Sequence, residues 1–305
     1  MKLKKVLALL CGIFMTATCF SACNLFGNSS ESSSSNSSSS SSESSSSSSS
    51  DPSTGETPQE PIDTRDILSV MSFNLQNWNE PEKRYDAVAN QIEEYAPDIL
   101  GTQEAAEHWS QALAERLGGY KLVDLWGSNE IFYNAKRLKL LSYDVKYLTD
   151  TPDQYSTIYE GDIRFVTYAV FERREDGAKF FYANTHLNHI SEETRVRQVE
   201  YLVSIIRNAN TENYPVIVTG DFNADIRGDA YAKMDDSGYQ NVAEAAKTSD
   251  GKYKYTFNGL ASNDGKMIID YVWVEEETEF GIRTYKVCDE KTVSDHYALY
   301  VELQY

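Results

Sequence analysis

Cysteine is nearly absent where it would matter. Of four in 305 residues, Cys11, Cys19 and Cys23 lie close to the N-terminus, and only Cys288 remains beyond them. A domain formed by the rest therefore has no disulfide and no thiolate metal site. Its lone thiol reads as a small buried side chain rather than a nucleophile. Basic charge is scarce too: 28 Lys and Arg stand against 47 Asp and Glu, a formal net charge of -19. That argues against a protein that grips nucleic acid through a broad basic surface. It leaves room for an enzyme whose acids hold a divalent cation. Apolar runs are short; the one candidate, residues 6–20, falls below the roughly 20 residues that a membrane-spanning helix needs. No internal repeat is present. Core material is plentiful, with 41% hydrophobic and 12% aromatic residues, which excludes wholesale disorder.

The N-terminus has its own pattern. Lys2, Lys4 and Lys5 precede the apolar run, and Phe20-Ser21-Ala22-Cys23 closes it. A basic start, an apolar stretch and small residues before the break describe a secretory signal. Small residues directly before a cysteine resemble a bacterial lipobox, which implies a signal peptide over 1–22 and a lipid on Cys23. An ordinary signal with a chance cysteine is the plainer alternative. Residues 23–66 follow as a serine-rich stretch, nearly pure serine over 29–50, then Pro52, Gly55, Pro58 and Pro61. Such a composition cannot bury apolar surface and reads as a disordered tether. The signal carries +3 and the tether -6, so residues 67–305 carry -16. The expectation is a monomeric domain at the cell surface, outside the cytoplasm, lipid-anchored through Cys23.

From residue 67 strand-like and helix-like segments alternate. Strands are expected at 67–75, 98–102, 130–134, 138–148, 165–172, 179–185, 215–219, 267–274 and 297–303. Helices are expected at 84–95, where Tyr85, Val88 and Ile92 share a face, at 109–117, closed by Gly118-Gly119, and at 192–208. Glu175-Asp176-Gly177 supplies a hairpin turn. With no break in composition after Asp66, this is one α/β domain.

The chemistry gathers at strand ends. Val216-Ile217-Val218-Thr219-Gly220-Asp221-Phe222-Asn223-Ala224-Asp225 runs a buried strand into a glycine turn and then offers an acid and an amide two residues apart. In extended chain these point the same way, so Asp221 and Asn223 can face one ion or one phosphate, although Asp and Asn also begin loops for turn reasons. Asn184-Thr185-His186-Leu187-Asn188-His189 ends another strand, with His186 free to face a cleft while Leu187 packs. Asp270 lies within the apolar Ile268-Ile269-Asp270-Tyr271-Val272, where a buried carboxylate needs a partner such as a histidine. Ser294-Asp295-His296-Tyr297, Gly101-Thr102-Gln103-Glu104 and Ser72-Phe73-Asn74 complete the set. One polar strand end is more often structural; six together suggest the ligand site that α/β sheets place outside strand ends.

In this order the motifs resemble the metal-dependent endonuclease/exonuclease/phosphatase superfamily. The resemblance covers 67–305 and rests most firmly on GDFNA (220–224) and SDH (294–296). It implies a four-layered sandwich of two packed, mostly antiparallel sheets flanked by helices. It implies Mg²⁺, with Mn²⁺ or Ca²⁺ as substitutes, held by Glu104 with Asn74 and Asp295 beside it. His296 matches the base that activates water, and Asp270 the group that orients its imidazole. Asp221 matches an acid at the nucleophile or second-metal position, and Asn223 and His186 match groups that bind phosphoryl oxygens. Mg²⁺ prefers such hard oxygens. Arg195 matches a recurrent family arginine and reads equally as a guide for substrate phosphate or as a solvated helix charge, and Arg164 is a weaker phosphate candidate. Arg197 reads as a solvated helix charge, and Phe257 and Asn258 as a substrate rim. Three departures stand out. Asn188 replaces a common Asp, Gln76 replaces an acid of abasic-site enzymes, and neither Asp124 nor Glu130 has the spacing of the acid that pairs with the first histidine in some relatives.

The implied function is extracytoplasmic, metal-dependent hydrolysis of phosphate esters, diesters before monoesters, on nucleic acid, phospholipid or sugar phosphate. The acidity favours a small or cation-bound substrate. A non-catalytic surface-binding lipoprotein would show decay at Glu104, Asp221, Asn223, Asp270, Asp295 or His296, and an acidic Ca²⁺-binding adhesion module would show repeated Asp/Asn loops. The sequence shows neither.

Overall fold

The structure, a computed structural model, describes residues 66–124, 127–155, 163–259, 266–278 and 280–305. The signal peptide, Cys23 and the serine-rich stretch up to residue 65 lie outside the described residues. In chain order the elements begin β1 (Ile67–Asn74), α1 (Pro81–Tyr95), β2 (Ile99–Gln103), α2 (Glu107–Arg116), β3 (Tyr120–Leu122), β4 (Ile131–Asn134) and β5 (Leu138–Tyr147). The middle contributes β6 (Phe165–Arg173), β7 (Lys179–His186), α3 (Glu192–Ala209), β8 (Val216–Asp221) and α4 (Asp229–Asp235). Last come β9 (Tyr239–Asn241), α5 (Val242–Ala245), β10 (Thr248–Asp250), β11 (Asp270–Glu275), β12 (Gly281–Cys288) and β13 (Ala298–Gln304).

The strands form two sheets, ordered β10-β12-β13-β1-β2-β4-β3 and β5-β6-β7-β8-β11-β9. Most neighbours are antiparallel. β1–β2, β7–β8 and, at the sheet edge, β10–β12 are parallel; a parallel pair needs a long crossover, which α1 and α3 supply for the first two. Burial explains the layering. Along β1, Leu68 and Val70 enter the core between the sheets, whereas Met71 and Phe73 face outward and pack with Val88, Ile92, Trp109 and Leu113 of α1 and α2. On β7, Phe180 and Tyr182 point inward, while Phe181 and Ala183 meet Val199, Leu202 and Val203 of α3. Strands covered on both faces read as near-continuous apolar runs, as 216–218 does. The architecture is therefore an α/β sandwich of helix, sheet, sheet and helix. No helix among the described residues is long and apolar enough to cross a membrane.

Most expected elements are present with ends shifted by a few residues. α1 starts at Pro81, because a proline at the first helical position costs no hydrogen bond. The expected strand at 267–274 begins only at Asp270; before it, Thr256 Oγ1 accepts the N–H groups of Ile269 and Asp270, which removes them from a ladder. β3, β9, β10, β12, α4 and α5 had not been anticipated. Cys288 is fully buried, and burial pushes its thiol up to about 12.

Beneath the strand ends a polar network crosses between the sheets. Gln103 Nε2 donates to Asn184 Oδ1 at 2.7 Å and to Ser72 Oγ at 3.2 Å. Asn184 Nδ2 donates to the carbonyls of Thr102 and Glu130, and Thr219 Oγ1 donates to Asn184 Oδ1 at 3.1 Å. Gly101 makes room for it: a Cβ there would lie 2.5 Å from Thr219 Oγ1, 2.6 Å from Tyr182 Oη and 2.7 Å from Asn184 Oδ1. Overpacking so close a contact costs about 1–3 kcal/mol or more. Gly101→Ala is accordingly expected to destabilise the fold by at least about 2 kcal/mol, read as a lower denaturant midpoint with an unchanged slope. Wild-type stability in that variant would show that the network can shift without cost.

Candidate active site

The ends of β1, β2, β7 and β8, the start of β11 and the segment before β13 converge on a cleft of ≈ 580 Å³. Register sets its centre. Asp221 pairs with His186 on β7 and with Asp270 on β11, so one acid is flanked by a histidine and a second acid. Asp221 Oδ2 accepts from Asn74 Nδ2 at 3.0 Å and lies 3.3 Å from His186 Nε2 and 3.7 Å from His296 Nε2. Its Oδ1 accepts the Asn223 N–H at 2.9 Å. His296 Nδ1 donates to Asp270 Oδ2 at 2.8 Å, which gives the buried aspartate its partner. The edge of Phe257 lies against the His296 ring, with centroids 5.0 Å apart.

Electrostatics separates the two histidines. Burial pulls His296 down, but Asp270, with its charge and hydrogen bond, then Asp221 and Asp295 outweigh it and raise the imidazole to about 10. Burial, then the charges of Arg164, His296 and His189, hold His186 well below its ordinary value, so it is neutral. Asn223 Nδ2 donates to His186 Nε2 at 2.9 Å and to the Leu187 carbonyl at 3.0 Å, which leaves the His186 proton on Nδ1. Burial and the charge of Asp270 raise Asp221 to about 7.

A second acidic group lies beside this centre. Glu104 accepts from Asn77 N–H at 3.1 Å and from Asn74 Nδ2 at 3.4 Å. Burial raises Asp295; His296 opposes this and Glu104 reinforces it. Two carboxylates placed so that the charge of Glu104 raises Asp295 fit a cation between them, and both offer hard oxygens of the kind Mg²⁺ takes. Asp221, Asp270 and His296 also bring ligand atoms within 4.8 Å of one another. There Asp270 is already engaged by the His296 Nδ1–H, so this trio is better suited to moving a proton than to enclosing an ion.

The backbone is held unusually at three points of the cleft. Gln76, Glu104 and Asn223 have φ of 51°, 56° and 50°, a left-handed region that bulky side chains seldom occupy. Such conformations persist only where the surroundings enforce them, and they concentrate at functional sites.

Two expected roles change. Asn74 turns its oxygen away, toward the Gln76 N–H at 3.0 Å, and presents its amide nitrogen to Glu104 and Asp221. It orients carboxylates rather than supplying a metal ligand. Arg195 is not in the cleft. Its guanidinium pairs with Glu192 and donates to the Asn188 carbonyl at 3.0 Å, so it braces the start of α3. Arg164 does line the cleft, with Nη2 3.3 Å from His189 Nδ1. Asp221 Oδ2 is the carboxylate oxygen that faces His186 Nε2, from the neighbouring strand β8. Asn188 does part of the work of an Asp there: its Oδ1 accepts the N–H groups of Ile190 and Ser191, while its buried Nδ2 has no hydrogen-bond partner among the described residues.

Arg84 had escaped notice. Its guanidinium donates to the carbonyls of Leu75, Gln76 and Asn79 and to that of Val293, 209 residues later. It thus joins the loop after β1 to the segment carrying Asp295 and His296, while stacking 5.0 Å from the centroid of Trp109.

A two-sheet sandwich with acids and a His–Asp pair at one end of its strands is a hydrolase of the DNase I-like fold. The family model of the Endonuclease/Exonuclease/phosphatase family matches residues 71–296, and the chain belongs to this family. Comparison with curated proteins gives no match. Among solved structures, an endonuclease/exonuclease/phosphatase family protein from Bacteroides thetaiotaomicron is 25% identical, with a TM-score of 0.72, covering 78% of this chain and 97% of its own. A mannosyl-6-phosphatase from the same organism is 26% identical, with a TM-score of 0.72, covering 78% of this chain and 100% of its own. TDP2 of D. rerio, solved with single-strand DNA product, is 18% identical with a TM-score of 0.63 over 78% of this chain and 99% of its own, a likeness of fold. Family and neighbours make the chain a phosphoesterase or nuclease-like hydrolase.

Proposed function

We propose that this chain is an extracytoplasmic, Mg²⁺-dependent phosphoesterase, tethered to a membrane by lipid on Cys23, in which His296 activates the attacking water. The carrying observation is the 2.8 Å His296–Asp270 pair facing Asp221 and the acids of the cleft. Glu104 and Asp295 would hold the cation, with Asp221 close by, and the ion would offset charge on the phosphoryl oxygens. Arg164 lies where it can meet those oxygens, and Asn223 fixes the tautomer of the neighbouring His186. His296 Nε2 takes a proton from water as its oxygen bonds to phosphorus and the ester P–O bond breaks. Asp270 stabilises the imidazolium that forms.

We place a phosphodiester first as substrate, a choice the motifs do not make by themselves. A monoester is the second reading, favoured by the 26% identity to a mannosyl-6-phosphatase. Both suit an acidic protein better than long nucleic acid does. The test is a panel run with Mg²⁺ and with EDTA: plasmid DNA, RNA, sphingomyelin, inositol and sugar phosphates, and a nitrophenyl diester. Cleavage that EDTA removes is expected. A folded domain that neither cleaves these nor binds Mg²⁺ would point to a non-catalytic surface-binding lipoprotein instead. Metabolic labelling with a fatty acid, lost in Cys23→Ala, checks the anchor.

A further inference from the structure

We propose that Trp78 is a stacking platform for the leaving group, and that this group is an uncharged ring with an apolar face. The proposal rests on the phosphoesterase reading and narrows it. Among the described residues seven large hydrophobic side chains are exposed; Trp78, the most exposed at 77%, and Met267, at 41%, both line the cleft. By contrast, Trp109 and Trp273 are fully buried. An indole left in water is unfavourable, and on a loose loop it would fold back onto the surface.

This loop is not loose. Arg84 fastens the carbonyls of Leu75, Gln76 and Asn79 on either side of the indole. The N–H of the preceding residue, Asn77, is fixed to Glu104 Oε2 at 3.1 Å. The ring is thus held beside the acids that would bind the cation. Phe257 adds apolar surface to the same cleft. Glu104, Asp221 and Asp295 also line it and disfavour a leaving group that brings more negative charge. A pyranose offers its C–H face to an indole and a nucleoside offers its base; either meets the requirement.

The full-length protein and its Trp78→Ala and Trp78→Phe variants are assayed on glucose 6-phosphate, a nucleoside 5′-phosphate and glycerol 3-phosphate, each as monoester and methyl diester. Trp78→Ala is expected to lower the ratio of kcat/KM for ring over acyclic esters by about tenfold, through KM, as loss of one stacked ring does. Trp78→Phe restores most of it. Ring esters are also expected to quench tryptophan fluorescence in the wild type and not in Trp78→Phe. The ring ester with the larger loss identifies the source. An equal change for ring and acyclic esters, no change, or quenching that survives in Trp78→Phe overturns the proposal. Quenching that depends on Trp78 without hydrolysis of any ester sustains the platform and removes the phosphoesterase reading.

Discussion

His296→Ala is expected to lower kcat by about 10²–10⁴, the usual contribution of a positioned base, with much less effect on KM. The imidazole is buried and its Nδ1–H is spent on Asp270, so only Nε2 is available to the cleft. Asp270→Asn separates orientation from charge. Asparagine can still accept from Nδ1–H, but it withdraws the largest charge that raises His296. A base must be neutral to work, and its neutral fraction grows as pH rises through the pKa. Removing Asp270 therefore lowers that pKa and moves the acid limb of the pH–rate profile to lower pH, while the plateau falls. With the wild-type imidazole raised to about 10, its limb is expected there, and a profile measured from pH 6 to about 11.5 checks this. If Asp270→Asn lowered the plateau without moving the limb, His296 would not be the group titrating.

Glu104→Gln is expected to weaken Mg²⁺ binding by about 100-fold or more and to remove activity with it, since loss even of a group behind the ligands costs 10–100-fold. The carboxylate is preorganised: its backbone is held at φ 56°, and Asn77 and Asn74 each fix one oxygen. Glutamine keeps the shape and removes the charge. Calorimetric titration with Mg²⁺ or Mn²⁺ reads the affinity directly. Unchanged affinity with lost activity would move Glu104 from cation binding to substrate positioning.

The strand-end motifs were legible because they are local. Asp221, Asn223, His186 and His296 each follow or precede a short apolar run, and the parallel and antiparallel registers bring them together. What the sequence hid depends on contacts between distant segments. Arg84 looks like any charge early in a helix, since its role depends on Val293, 209 residues away. The left-handed Gln76 and Glu104 carry no glycine or asparagine to announce the turn. Arg195 was misread because a solvated arginine and one folded back onto Glu192 have the same sequence neighbours. β12 was passed over because its partly buried residues interrupt the apolar alternation.

The position of β1 has a consequence for synthesis. The first strand lies between β2 and β13, the last, and β1 and β13 pair over Ile67–Ser72 and Leu299–Gln304. Contacts this distant along the chain make for slow folding. One side of β1 stays open while the ribosome works through everything in between, leaving an unpaired edge that can recruit another chain. Asp295 and His296 immediately precede β13. A polypeptide released early would thus lack both the strand that closes the sheet and the base we propose, so a truncated product is expected to be inert and aggregation-prone together.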